Sequence, residues 1–354
     1  MKKSIWWVVG IVIVVIVIAF ATDKNGEVNV IKIGVVAPIT GGASGYGETL
    51  VKGIELAKQD LGNTKNKYEV IYEDDGTTPA RAASAAQKLI NVDKVSAIIT
   101  TTSGTGNAVK LVAISAGIPH ICICVDTNIT KDSKTNFIYL ALPEIESRAW
   151  VDEAVVRGVK KMAIIYQNHP GFNLIVDTIK PMLVEKGISI TSEERYEPST
   201  KDFKTVITKS KLTNPDAYFI GGFPPSLDIL GKDMKTMGIK NVAGFGTFAL
   251  AADLSIFEGD WFTDVKLSDQ SIKTRFETAF PNMRFNARTV PEGYDVFTIL
   301  VSAFESNKPA SQYLLDLDGY DGKSGNVMKP VGSNNFSVPV GIWTIKDGSA
   351  VEIK

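Results

Sequence analysis

Side chains that carry out covalent or metal chemistry are scarce in this sequence. Its 354 residues include two histidines, His120 and His169, and two cysteines, Cys122 and Cys124. Zinc and redox centres draw on clusters of such residues at short, regular spacings, and none of those spacings occurs. Cys122 and Cys124 stand two apart in an apparent strand, so both point to one face while the extended backbone holds them apart. Two buried thiols are expected rather than a mutual disulfide. Enzymatic signatures are missing as well: there is no G-x-S-x-G, no G-x-x-x-x-G-K-[ST] and no H-E-x-x-H. Gly41 to Gly47 is glycine-rich and follows a strand, but its spacing is not that of a dinucleotide-binding loop. No metal, no cofactor and no catalysis are expected.

An excess of charge of either sign is also absent. Lysine plus arginine number 38 against 39 for aspartate plus glutamate, a formal net charge of −1, and the cations are scattered. That excludes a nucleic-acid footprint. One long apolar run exists, and it is at the amino terminus: Met1-Lys2-Lys3-Ser4, then Ile5 to Ala21 almost wholly apolar, then a polar linker to residue 27. The lysines, the apolar run and Ala19-Phe20-Ala21 fit a secretory signal with a small-residue cleavage site. The same residues also fit a short uncleaved anchor, with Trp6 and Trp7 at the interface. Either way the remainder is expected outside the cytoplasmic membrane, in the periplasm or on the outer face of that membrane.

From Val30 onward, strand and helix patterns alternate without hairpin signals. Val30 to Ala37, Tyr68 to Tyr72, the apolar run at Ala97-Ile98-Ile99, Pro119 to Val125 and Phe137 to Leu142 read as strands, with helices between them that include the alanine-rich Pro79 to Ile90. A second set follows: strands at Met162 to Tyr166, Ile188 to Tyr196, Ala217 to Ile220 and Val242 to Phe245, again separated by helices. The fold class is therefore α/β, two doubly wound parallel-sheet lobes with a cleft between their strand ends. The tail is less regular, with helices over Ile272 to Phe280 and Glu292 to Glu305 and a closing hairpin from Val340.

Within the first set, Ala97 to Ala108 stands out because an apolar run ends in Thr100-Thr101-Thr102-Ser103-Gly104-Thr105-Gly106 before a helical pattern begins. A helix amino terminus has unpaired N–H groups and the positive end of the macrodipole, so it holds a carboxylate without any cation nearby. In an open parallel sheet, ligands bind outside the carboxyl ends of the strands, where this turn lies. Ser103 adds a hydroxyl. A plain N-cap turn is the alternative.

The chain resembles the extracytoplasmic solute-binding proteins of the branched-chain amino acid type, the type I periplasmic binding proteins that serve ABC importers. The likeness runs from Ile31 to Val351. It rests on Ile33-Gly34-Val35-Val36-Ala37-Pro38-Ile39-Thr40-Gly41 with Tyr46-Gly47, on Glu73-Asp74-Asp75-Gly76 with Pro79, and on Val95 to Ser103. Gly117-Ile118-Pro119, Lys201-Asp202-Phe203, Gly221-Gly222-Phe223 and Gly293-Tyr294-Asp295 continue it in order. The resemblance implies two lobes joined by three crossover strands that close on a ligand. One lobe would take residues 28–142 and 265–328, the other 143–264 and 329–354. It also implies ligand contacts from Ser103, Gly104 and Thr105, from the segment holding Cys124, Asp126 and Thr127, from Tyr46 on the first loop, and from Phe223 and Thr247 of the second lobe.

One departure bears on the ligand. Amino-acid binders of this family carry an acid near Thr247 or Phe248 that pairs with the ligand ammonium, and Gly244 to Ala249 offers none. Asp126 would compensate from the first lobe, or the ligand lacks an ammonium. The expectation is a monomeric, non-enzymatic binding protein that delivers an amino-acid-like or carboxylate solute to an ABC permease, with the amino-terminal segment touching the membrane if uncleaved. A ligand-sensing receptor of the same fold is the near alternative, although such chains are expected to continue past a point like Lys354. An α/β enzyme is the distant one.

Overall fold

Val30-Ile31-Lys32-Ile33-Gly34-Val35-Val36-Ala37 forms strand β1, and its second half is buried on both faces. That is why the segment reads as an unbroken apolar run, as central strands of parallel sheets do. The computed structural model describes residues 29–353 apart from Ser268 and Val331. The segment Met1 to Ala21, expected to be an export signal or anchor, lies outside the described residues. Among the described residues no helix is long and apolar enough to cross a membrane.

The first lobe continues with α1 (Ser44–Gln59), β2 (Lys67–Asp74), α2 (Pro79–Asn91), β3 (Ala97–Thr101), α3 (Ser103–Ala116), β4 (His120–Ile123) and β5 (Asn136–Tyr139). The chain then enters the second lobe through α4 (Pro143–Val156), β6 (Lys161–Gln167), α5 (Pro170–Glu185), β7 (Ser189–Tyr196), α6 (Lys204–Leu212), β8 (Ala217–Gly221), α7 (Ser226–Thr236), β9 (Val242–Phe245) and β10 (Trp261–Val265). It returns with α8 (Ser271–Ala279), α9 (Thr289–Glu305), α10 (Ala310–Asp316), the hairpin β11 (Gly319–Gly322) and β12 (Gly325–Met328), and β13 (Asn335–Phe336). It crosses a third time into β14 (Val340–Lys346) and β15 (Ser349–Glu352).

The six-stranded sheet has the order β13-β5-β4-β3-β1-β2, and its pairings are parallel. The seven-stranded sheet has the order β15-β14-β10-β9-β8-β6-β7, antiparallel at β10–β14 and β14–β15. Two elements escape pattern reading. β10 carries Thr263 and Asp264 inside its apolar run, and β13 is two residues long, too short for any periodicity. Asn335 and Phe336 pair with β5, so this part of the 329–354 segment belongs to the first sheet.

α9 returns to the first lobe and lies against α1. Their backbones approach so closely that a Cβ at Gly53 would overlap the carbonyl of Val290, and one at Gly293 would overlap that of Leu50. Glycine at both places is a packing requirement. It also fixes the amino end of α9, and with it Arg288, at the junction of the lobes.

One expectation is corrected. Cys122 and Cys124 are joined in a disulfide. The strand reading ran on to Val125, but β4 stops at Ile123 and the chain bends at Cys124, bringing the two Cα atoms to 5.4 Å. A fully extended chain would separate them by about 6.5–7 Å, whereas 5.4 Å lies inside the range a disulfide spans.

Candidate ligand-binding site

The first wall of the interlobe cleft is the turn from β3 into α3. Thr102 takes a left-handed φ of 58°, unusual for a β-branched residue, and its Oγ1 caps the helix by accepting from the Thr105 amide at 3.5 Å. Such conformations cost on the order of 1–3 kcal/mol and persist where surrounding structure imposes them, often at ligand sites. Capping therefore belongs to Thr102, not Ser103. Ser103 is the first helical residue, buried, and no hydrogen bond engages its hydroxyl among the described residues. The first amides of α3 have no partner inside the helix.

The second wall is aromatic. β6 ends at Gln167, and His169 caps α5, its Nδ1 accepting from the Gly171 amide at 3.2 Å, with Pro170 at the first helical position. The His169 ring meets Phe172 and Phe223 edge to face at 5.8 and 5.3 Å, and Phe172 meets Phe223 at 5.2 Å. Burial pushes the His169 imidazole down to about 4, so it is neutral at physiological pH. The walls nearly touch: a Cβ on Gly171 would lie 3.1 Å from Ser103 Oγ, and one on Gly104 would lie 3.5 Å from His169 Nε2.

A buried ion triad closes the hinge side. Arg288, just before α9, donates from Nε to Asp264 at 2.8 Å and from Nη2 to Glu146 at 2.7 Å. Glu146 Oε1 also accepts from Thr263 at 3.2 Å. Asp264 lies on β10 and Glu146 in the first turn of α4, so one guanidinium links three segments at the crossovers. Burial raises the Glu146 carboxyl, opposed by Arg288, and raises that of nearby Glu292 well above the usual range. Gly246 lies against the pair; a side chain there would strike Asp264 and Arg288.

Together these walls enclose about 70 Å³, mostly apolar, under half the ~150 Å³ that holds a benzene ring. A larger groove of about 650 Å³ lies at the amino ends of β6, β8, β9 and β10, away from this cleft. Its acids are engaged locally: Asp216 accepts from the amides of Lys160 and Lys161, and Glu258 from those of Asp347 and Gly348.

Of the residues singled out from sequence, Tyr46, Ser103, Cys124, Phe223 and Thr247 line the cavity. Thr247 Oγ1 is buried with no partner. Gly104, Thr105, Asp126 and Thr127 stand outside its lining. The Thr105 hydroxyl bonds back to the Thr101 carbonyl. Asp126 accepts from the Asn128 amide at 3.0 Å and from Asn107 Nδ2 at 2.6 Å, capping the short 3-10 helix Thr127–Ile129. Its carboxylate is thus occupied within the first lobe. His169, Phe172, Glu146 and Arg288 also line the cavity and were not anticipated. The strand end before His169-Pro170-Gly171 is the signal that could have found the first two, by the reasoning applied to Ser103. Arg288 and Glu146 carry no comparable local signal.

A sequence model of the periplasmic binding protein family matches residues 30–309. The Leu/Ile/Val-binding protein BraC3 of Rhizobium johnstonii is 23% identical over 256 residues, which is 70% of this chain and 65% of that protein. A leucine-, isoleucine-, valine-, threonine- and alanine-binding protein of Pseudomonas aeruginosa is 23% identical over 261 residues, 64% of each. The chain therefore spans slightly under two thirds of these relatives. Among solved structures, the leucine-binding protein LivK of Thermotoga maritima superposes with a TM-score of 0.80 at 20% identity, covering 92% of this chain and 98% of that one. An ABC-transporter solute-binding protein of R. palustris in complex with 4-hydroxybenzoate gives 0.80 at 19% identity, covering 92% and 96%. Fold, lobe arrangement and family match agree, and the chain belongs to the periplasmic binding protein family, with the type I fold.

Proposed function

We propose that this chain is an extracytoplasmic solute-binding protein that encloses a small carboxylate with a flat or branched apolar body and presents it to the permease of an ABC importer. The observation that carries the reading is the free hydroxyl of Ser103 at a helix amino terminus, facing the rings of His169, Phe172 and Phe223. The carboxylate would take the Ser103 hydroxyl and the first amides of α3, where the helix dipole favours an anion. The body would lie against the aromatic wall, losing its contact with water.

The lobes would close as two bodies, residues 28–142 with 265–328 and residues 143–264 with 329–354, Asn335 and Phe336 staying with the first sheet. The three crossings serve as hinge. Lys2, Lys3 and the apolar run after them would deliver the domain across the membrane, cleaved or kept as an anchor.

An amino acid is the second reading, favoured by the names of the curated relatives. Against it, Glu146 is the one acid in the cavity lining among the described residues, and Arg288 already holds it. Asp126 is turned to Asn107 and Asn128. An ammonium left without a partner in such a place costs several kcal/mol. Native mass spectrometry of gently purified protein tests the choice: a retained monocarboxylate without an amine is expected, and a retained α-amino acid would overturn it.

A further inference from the structure

Three of the polar groups at the hinge end of the cavity, Glu146, Arg288 and Thr247, have unused hydrogen-bonding capacity. Glu146 is 1% exposed and its Oε1 accepts from Arg288 and Thr263, while its Oε2 is buried with no partner. Arg288 spends Nε and Nη2 on Asp264 and Glu146, and no hydrogen bond engages its Nη1 among the described residues. Thr247, next to the Gly246 that packs on Arg288, has a buried and unpartnered Oγ1. All three side chains line the cavity that Ser103 lines. Leaving such groups unpaired in a closed cleft is costly, so an enclosed solute that satisfies them is favoured over one that does not.

What satisfies them is restricted by sign. Glu146 Oε2 needs a donor, and Arg288 Nη1 needs an acceptor. An ammonium donates but accepts nothing, and would lie beside a guanidinium. A second carboxylate accepts but cannot donate, and would lie beside Glu146. A neutral hydroxyl does both at one atom, donating to the acid and accepting from the arginine, with the Thr247 hydroxyl free to act in either sense. We infer that the Glu146–Arg288–Thr247 end of the cavity is a hydroxyl subsite, and that the solute class is a hydroxylated apolar carboxylate whose hydroxyl is remote from its carboxyl group. The inference rests on the proposed seat of the carboxylate at Ser103.

The test is a calorimetric comparison of two probes on the full chain, 4-hydroxybenzoate and benzoate, which differ by that hydroxyl alone. The hydroxylated acid should bind at least about tenfold tighter, since a site built around a hydroxyl strongly rejects the analogue lacking it. Glu146→Gln should reduce the ratio of the two affinities to about threefold or less. Thr247→Val, which removes a hydroxyl without disturbing the ion triad, should shrink the ratio severalfold, and it decides the matter if the Glu146 variant does not fold. Equal affinities in the parent protein, or a ratio unchanged in the folded variants, would overturn the subsite and leave the carboxylate reading standing. Failure of both probes to bind would overturn the two together.

Discussion

The two walls of the cleft are made from different materials. The first-lobe wall is built from backbone: a strand end, a left-handed threonine and a helix start that leave amides and one hydroxyl free. The second-lobe wall is built from side chains, three rings packed edge to face, His169 and Phe223 just past two strand ends and Phe172 in the first turn of α5. In the proposed reading, backbone would recognise what every solute of the class shares, a carboxylate. Rings and the hinge polar groups would recognise the body that distinguishes one solute from another. The contrast predicts that changes on the first wall alter affinity evenly across carboxylates, while changes on the second alter which carboxylate is preferred.

Arg288 joins the walls, so its loss should have the largest effect. Arg288→Ala strands Glu146 and Asp264, each 1% exposed, and should lower unfolding free energy by about 3–5 kcal/mol, read by chemical denaturation. Unchanged stability would mean that the triad does not hold the lobes. Next comes Phe223→Ala, which removes the ring shared by His169 and Phe172. Affinity for an aromatic acid should fall by roughly 1.5–3 kcal/mol, with a smaller loss for a compact aliphatic acid. An equal loss for both would erase the distinction between the walls.

The second wall is apolar only while His169 stays neutral. Its pKa is depressed to about 4, against about 6.5 in the unfolded chain, so the unfolded state binds the extra proton between those values. Stability from this group is present above the unfolded value and lost as pH falls toward the folded one. In denaturation curves, His169→Gln should therefore gain on the parent protein by about 2 kcal/mol between pH 7 and pH 5. A pH-independent gap would show that the imidazole is solvated. Smallest is Ser103→Ala: about 1 kcal/mol weaker binding of any carboxylate, with folding unchanged because Thr102 holds the cap. Lost stability at unchanged affinity would return Ser103 to a structural role.

The two walls also differed in how far the sequence disclosed them. The Ser103 turn was readable because a helix start after a buried strand is a local event with a local signature. Phe223 followed from Gly221-Gly222 by resemblance. His169 sits in the same strand-to-helix context but was passed over, because a histidine in a polar stretch does not announce a wall. Arg288, Glu146 and Asp264 lie far apart in the chain, and Gly53 and Gly293, which let α9 close on α1, help set Arg288 beside the other two. Asp126 stayed open between a cleft acid and a turn acid, since an acid at a strand end suits both roles; its carboxylate accepts from Asn107 and Asn128. The Cys122–Cys124 pairing was missed because a strand pattern does not reveal where the chain bends.

The central claim is that this cleft takes a carboxylate without an ammonium. Isothermal titration of the parent protein with 4-hydroxybenzoate and with leucine under one buffer tests it most directly. The account predicts that the hydroxylated acid binds at least about tenfold tighter, a difference of roughly 1.4 kcal/mol. Tighter binding of leucine would contradict it.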